Sequence, residues 1–131
     1  MTVKNSPAPR VLVVDDEALI RWSLTESFAD VGYSVSEASD GASAVAQASD
    51  GEKFDAIVLD YRLPDSNDLH LLETIRRLQP TAAVVMMTAF GTPEVTSGAL
   101  RLGAYRVVAK PFDVHAMVSL VAEAHESTHG S

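Results

Sequence analysis

Cysteine is absent from the 131 residues, so neither a disulfide framework nor thiolate chemistry is available to the chain. That absence suits a reducing compartment, and a cytoplasmic protein is the expectation. Positive charge is scarce as well: 10 Lys and Arg face 18 Asp and Glu, for a formal net charge of −8. A chain with no surplus of cations is poorly equipped to displace counterions from phosphates, which argues against nucleic-acid or membrane-surface binding by this segment. No apolar run approaches the roughly 20 residues of a membrane span. The opening MTVKNSPAPR likewise lacks the apolar stretch of a signal peptide, so no leader is expected. What is present is a globular composition, 47% hydrophobic and 21% charged, at a length that suits one sizeable core.

Short apolar runs recur without polar alternation: VLVV (11–14), AIVL (56–59), AVVMM (83–87) and VVA (107–109). Such runs suit strands buried on both faces, as in a parallel sheet. Between them, apolar residues repeat every three or four positions, as on one face of a helix. Ile20, Leu24, Phe28 and Val31 form one such set; Leu71, Ile75 and Leu78 form another; Val95, Ala99 and Leu102 a third; and Met117, Leu120, Val121 and Ala124 a fourth. GYSVSEA (32–38) reads as an edge strand because Ser34, Ser36 and Glu37 interrupt it, and DGASAVAQAS (40–49) as a short Ala-rich helix. The order is β-α five times over, which implies a doubly wound parallel sheet with helices on both faces and right-handed crossovers. The expected organisation is one domain over 10–126, with a flexible N-terminal tail over 1–9 and a C-terminal tail over 127–131.

In sheets of this kind ligands bind at the carboxyl ends of the strands. The apolar runs end on Asp15 and Asp16, on Asp60, on Thr88 and on Lys110, so four segments bring three carboxylates, a hydroxyl and an ammonium to one edge. The bland readings are that one of Asp15, Asp16 and Glu17 caps the first helix, that Asp60 opens a polar turn, and that Lys110 is solvated. A cap needs only one acid, however, and clustered acids repel unless a cation offsets them. Oxygen ligands without His or Cys prefer Mg2+, which accepts a few carboxylates and phosphate oxygens. An Asp carboxylate can be a nucleophile toward phosphorus, and phosphoryl transfer needs mainly alignment and charge stabilisation.

The segments VVDDE, LDYRLP, MMTA and KPFD, in this order, closely resemble the receiver domain of two-component response regulators. The further segments LIRWSL, ASDGASAV and LRLGAY are similar to the receivers of bacterial enhancer-binding transcription activators. The resemblance implies a flavodoxin-like three-layer α/β/α fold with strand order 2-1-3-4-5. It implies Asp60 as phosphoacceptor, receiving a phosphoryl group from the phosphohistidine of a sensor histidine kinase or phosphotransfer protein. Mg2+ would be held by Asp16, Asp60 and the backbone carbonyl of Arg62, with Asp15 acting through a bound water. Lys110 would pair with the phosphoryl group, Thr88 would swing toward it as the switch, and Ala89 supplies the small residue beside it. The Lys110–Pro111 bond would be cis, and Asp113 would cap the last helix. Phosphorylation would then alter the face made by the fourth helix, fifth strand and fifth helix, controlling an output domain outside this segment or a partner. A homodimer through that face is a further expectation of the family. Catalysis would be confined to the domain's own phosphorylation and dephosphorylation.

Departures from the family pattern are also legible. Val107 stands where an inward-rotating aromatic is usual; Tyr105, two residues earlier, is expected on the same side of the strand and is the candidate substitute. Asp68 replaces a common Gly, with a local cost if φ there is positive. Arg62 and Phe90 flank the acceptor and are expected to tune water access, and Trp22 is expected to be partly exposed. His70, His115, His125 and His129 show no ligand spacing. Two competing functions are a Mg2+-dependent phosphohydrolase and a phosphorylation-independent interaction domain. The first calls for an early Asp-x-Asp motif and a capping insertion, where this chain has DDE and no room for a cap. The second would keep the fold without the switch.

Overall fold

The structure, a computed structural model, describes residues 8–129. Five strands alternate with five helices: β1 (Arg10–Val14), α1 (Ala18–Asp30), β2 (Ser34–Ala38), α2 (Gly41–Ala48), β3 (Ala56–Asp60), α3 (His70–Leu78), β4 (Ala83–Thr88), α4 (Pro93–Arg101), β5 (Arg106–Ala109) and α5 (Val114–His129). The strands are all parallel in the order β2-β1-β3-β4-β5. The doubly wound sheet expected from the sequence is therefore the observed one.

The period of two along each strand divides the core. Leu12, Val14, Ile57, Leu59, Val84 and Met86 point toward α2, α3 and α4, while Val11, Val13, Val58, Val85 and Met87 point toward α1 and α5. Burial on both sides explains why β1, β3 and β4 read as unbroken apolar runs. On the second face Leu24 and Phe28 are fully buried, and truncating either to Ala would cost about 2–5 kcal/mol. β2 is an edge strand with Ser34 and Glu37 exposed, as its polar interruptions predict.

Helix starts follow local chemistry. The Asp40 carboxylate accepts from Ser43 N at 2.8 Å to begin α2, Thr92 with Pro93 begins α4, and Asp113 Oδ1 accepts from Ala116 N at 3.1 Å in the first turn of α5. Gly103 follows α4 with φ of 104°, a left-handed conformation that favours glycine; a Cβ there would also meet Arg76 Nε at 2.7 Å and push that side chain aside.

Three expectations change. Val31 lies beyond the end of α1 and is exposed, so it does not extend that helix's apolar face. Leu78, at the last turn of α3, is also exposed. α5 continues through residues 127–129, which the sequence alone assigns to a tail. Most of the N-terminal tail expected over 1–9 falls outside the described residues, as do positions 130–131. Among the described residues, no helix is long and apolar enough to cross a membrane.

Candidate functional site: an acidic pocket at the carboxyl edge of the sheet

β1 and β3 are adjacent, yet the chain leaves β1 for one face of the sheet and β3 for the other. Their carboxyl ends therefore open a crevice at the point where the winding reverses. A cavity of about 410 Å³ lies there, lined among others by Asp16, Asp60, Arg62, Thr88, Ala89 and Lys110.

Asp15 is fully buried, Asp60 is 5% exposed, and Asp16 stands open to solvent. One carboxylate oxygen from each lies within 4.8 Å of the others. Lys110 Nζ answers this crowding by donating to Asp15 Oδ2 at 2.9 Å, Asp60 Oδ2 at 3.1 Å and Glu17 Oε1 at 3.2 Å. Asp60 Oδ1 also faces Arg62 N at 3.4 Å, a long contact. Burial and then the Asp15 charge push the Asp60 carboxyl up to about 6, against the opposing pull of Lys110. Burial alone would lower Lys110, but its hydrogen bond to Asp15 and the charges of Asp60 and Asp15 outweigh it and hold the ammonium above its ordinary range.

The capping reading of DDE fails on geometry. Glu17 is the N-cap of α1 and makes no side-chain cap; Asp15 Oδ1 instead accepts from Glu17 N at 2.8 Å, closing the turn that leaves β1. With no imidazole or thiolate in the group, the oxygen-only donor set fits a hard cation such as Mg2+. Among the described residues, these three acids are the one group of His, Cys, Asp or Glu gathered closely enough to hold a metal.

Thr88 ends β4, 3% exposed, with its hydroxyl accepting from Phe90 N at 3.2 Å. Lys110 N donates to Thr88 O at 2.8 Å, tying the end of β5 to β4, and the Lys110–Pro111 peptide is cis. Ala89 lines the pocket with a methyl group only, while Phe90 is 75% exposed beside it and Trp22 is 60% exposed on α1.

Tyr105 departs from the expected placement. β5 begins at Arg106, so the two-residue period does not carry back to position 105. Tyr105 packs with the α1 and α5 side, whereas Val107 packs with the α2 to α4 side. Its hydroxyl donates to Glu123 Oε2 at 2.5 Å, and that bond raises the phenol above its usual range. Tyr105 is not among the residues lining the cavity. Asp68 carries no strain, because no non-glycine residue among those described has positive φ; its Oδ1 accepts from His70 N at 2.9 Å and leads into α3.

Three contributors escape sequence reasoning. Glu17 joins the Lys110 cluster. Arg21 reaches back from α1 to the Asp15 carbonyl at 2.6 Å. Asp65, in the loop after Asp60, accepts from Gly41 N at 2.7 Å and Ala42 N at 3.0 Å, fastening that loop to the start of α2. The crowded DDE hinted at the first; nothing local marks the other two.

A 2-1-3-4-5 sheet carrying three acids, a threonine and a lysine at its carboxyl edge defines a signalling receiver, and the chain belongs to the response regulator receiver domain family, whose model matches residues 11–122. It is a module of two-component signalling. Its relatives include the DNA-binding transcriptional regulator NtrC of Azospirillum brasilense, 32% identical over 120 residues that make up 92% of this chain and 25% of that protein. The chain thus spans about a quarter of the length of that relative. Among solved structures, it matches the CheY-like receiver domain protein of Methanospirillum hungatei JF-1 with TM-score 0.87 and 26% identity, covering 92% of this chain and 96% of that one. It also matches the CheX-CheY-BeF3-Mg2+ complex of Borrelia burgdorferi with TM-score 0.81 and 27% identity, covering 88% and 87%.

Proposed function

We propose that this domain accepts a phosphoryl group on Asp60, from a phosphohistidine of a sensor kinase or phosphotransfer protein, and relays the change to an output domain or partner. The observation that carries the reading is Asp60 itself: a nearly buried carboxylate at the floor of an open cavity, flanked by two further acids and one lysine. Such a group is costly to keep, and with one lysine shared among several acids a bound cation would relieve the remaining cost.

An Asp60 carboxylate oxygen attacks phosphorus as the P–N bond breaks, and the electron pair returns to the imidazole nitrogen, leaving an aspartyl phosphate. Asp15, Asp16, Asp60 and the Arg62 carbonyl are the groups that would hold Mg2+, which when bound neutralises charge developing on the phosphoryl oxygens. Lys110, 3.1 Å from Asp60, supplies positive charge to the same oxygens. Ala89 leaves room beside them. The Thr88 hydroxyl, which accepts from Phe90 N, can turn to donate its proton to a phosphoryl oxygen, drawing on the segment that leads into α4. The face of α4, β5 and α5 is then the element whose shape the modification biases. Chemistry is confined to the domain's own Asp60.

The test is intact mass after incubation with acetyl phosphate, with and without Mg2+, on the wild type and Asp60→Asn. One added phosphoryl group that requires Mg2+ and vanishes in the variant is expected. A second reading, an interaction domain indifferent to phosphorylation, is favoured by Val107 at the usual aromatic position and by Tyr105 facing away from it. A folded protein that gains no mass from acetyl phosphate or from a kinase would establish that reading instead.

A further inference from the structure

The arginine of LIRWSL lies in the first turn of α1 and plays no part in the chemistry above. Its Nη1 donates to the carbonyl oxygen of Asp15 at 2.6 Å. That carbonyl belongs to the peptide joining Asp15 to Asp16, the two acids that leave β1 together. The peptide is planar, so fixing its oxygen restricts the backbone rotations that aim both carboxylates. Asp15 N donates to Ala38 O at 3.1 Å, so the residue is held on both sides of its Cα.

Arg21 is itself held. Its Nε donates to Glu37 Oε1 at 3.1 Å, with the arginine side chain 21% exposed and the glutamate 46%. Glu37 sits on β2, where its own carbonyl accepts from Gln47 Nε2 of α2 at 2.6 Å. A brace thus runs from the edge strand, through one guanidinium fork, to the peptide between the two acids. The Glu37 carboxylate also offsets a positive charge that would otherwise oppose a cation in the pocket.

We propose that Arg21 is a positioning residue for the divalent-cation site, orienting Asp15 and Asp16 through their shared peptide, and that Glu37 acts through Arg21. The inference rests on the reading of Asp15, Asp16 and Asp60 as a Mg2+ site. Groups one step removed from a metal's ligands commonly change its affinity 10- to 100-fold when lost, and a contact made through backbone belongs at about the lower limit.

The experiment is a Mg2+ titration of the whole chain by calorimetry, paired with the Mg2+ dependence of phosphorylation by acetyl phosphate, on wild type, Arg21→Met, Arg21→Lys and Glu37→Gln. Arg21→Met is expected to weaken Mg2+ binding about tenfold, while saturating Mg2+ restores the phosphorylation rate. Glu37→Gln should shift the Mg2+ midpoint less but in the same direction, and should add nothing in the Arg21→Met background. Arg21→Lys, which keeps the charge without the fork, should fall between wild type and Arg21→Met. If Arg21→Met does not fold, the other two variants decide. Wild-type Mg2+ midpoints in every folded variant, even with lowered melting temperatures, would reduce the contact to a structural one and overturn the proposal. A wild type that takes up no Mg2+ would overturn the reading of the site, and the brace with it.

Discussion

The two edges of the sheet handle charge in opposite ways. At the amino edge, Arg10 stacks 4.7 Å from the centre of the Phe54 ring and pairs with Glu52, while Asp55 accepts from Arg10 N at 2.8 Å and faces His125 Nε2 at 3.6 Å. These charges meet at partly open positions, where each interaction is worth little and each carboxylate has its own partner. At the carboxyl edge, Asp15, Asp60 and Glu17 all lean on Lys110, with Asp16 close by and no cation of its own in the contacts. Two of those acids are buried. The amino edge closes the fold; the carboxyl edge gathers more carboxylates than cations around Lys110, with two of them buried, which marks it as the candidate functional site.

Breaking the carboxyl edge should have the largest effect. Lys110→Ala leaves Asp15 and Asp60 buried without their shared cation and should lower stability by about 3 kcal/mol near neutral pH, read by urea denaturation. The loss should shrink in acid, where Asp60 takes up a proton in place of the lost charge.

Asp60→Asn should do the reverse. A carboxyl at about 6 in the folded protein against 3.8 unfolded binds its proton more tightly when folded. Its contribution to stability is therefore unfavourable above the folded value, and the penalty disappears as pH falls through 6 toward 4. Removing the charge should stabilise the Mg2+-free protein by about 2 kcal/mol near pH 8, and wild type and variant should converge near pH 4.

Mg2+ should also stabilise the wild type, by about 1.4 kcal/mol at ten times its Kd, and this gain should largely vanish in Asp60→Asn. Thermal denaturation across a Mg2+ series checks it. The smallest effect belongs to the amino edge. Arg10→Ala should cost about 1 kcal/mol and leave the Mg2+ midpoint where it was. A shift in that midpoint would dissolve the contrast between the edges.

Much of this contrast is readable in the chain itself, because the features involved are periodic or sit at strand ends. VLVV, AIVL and AVVMM announce strands buried on both faces, and Asp15, Asp16, Asp60, Thr88 and Lys110 each follow or end such a run. What escapes is long-range or depends on where an element begins. Arg21 and Asp65 act on backbone groups of other segments, which no spacing encodes. Tyr105 is misplaced by the alternation rule because β5 starts one residue after it, and Val31 because α1 stops at Asp30. A cost at Asp68 depends on a positive φ there, which analogy with glycine suggests and the backbone does not adopt; its own side chain closes an ordinary turn onto His70.

The central claim is that the surplus at the carboxyl edge exists so that Asp60 can be phosphorylated. Its most direct test is to treat the protein with acetyl phosphate and Mg2+, reduce the acyl phosphate with borohydride, and locate the resulting homoserine by peptide mass spectrometry. Homoserine at position 60, appearing only when Mg2+ is present, is the predicted result. Homoserine at position 15 or 16, or none at all in a protein shown to be folded, would contradict it.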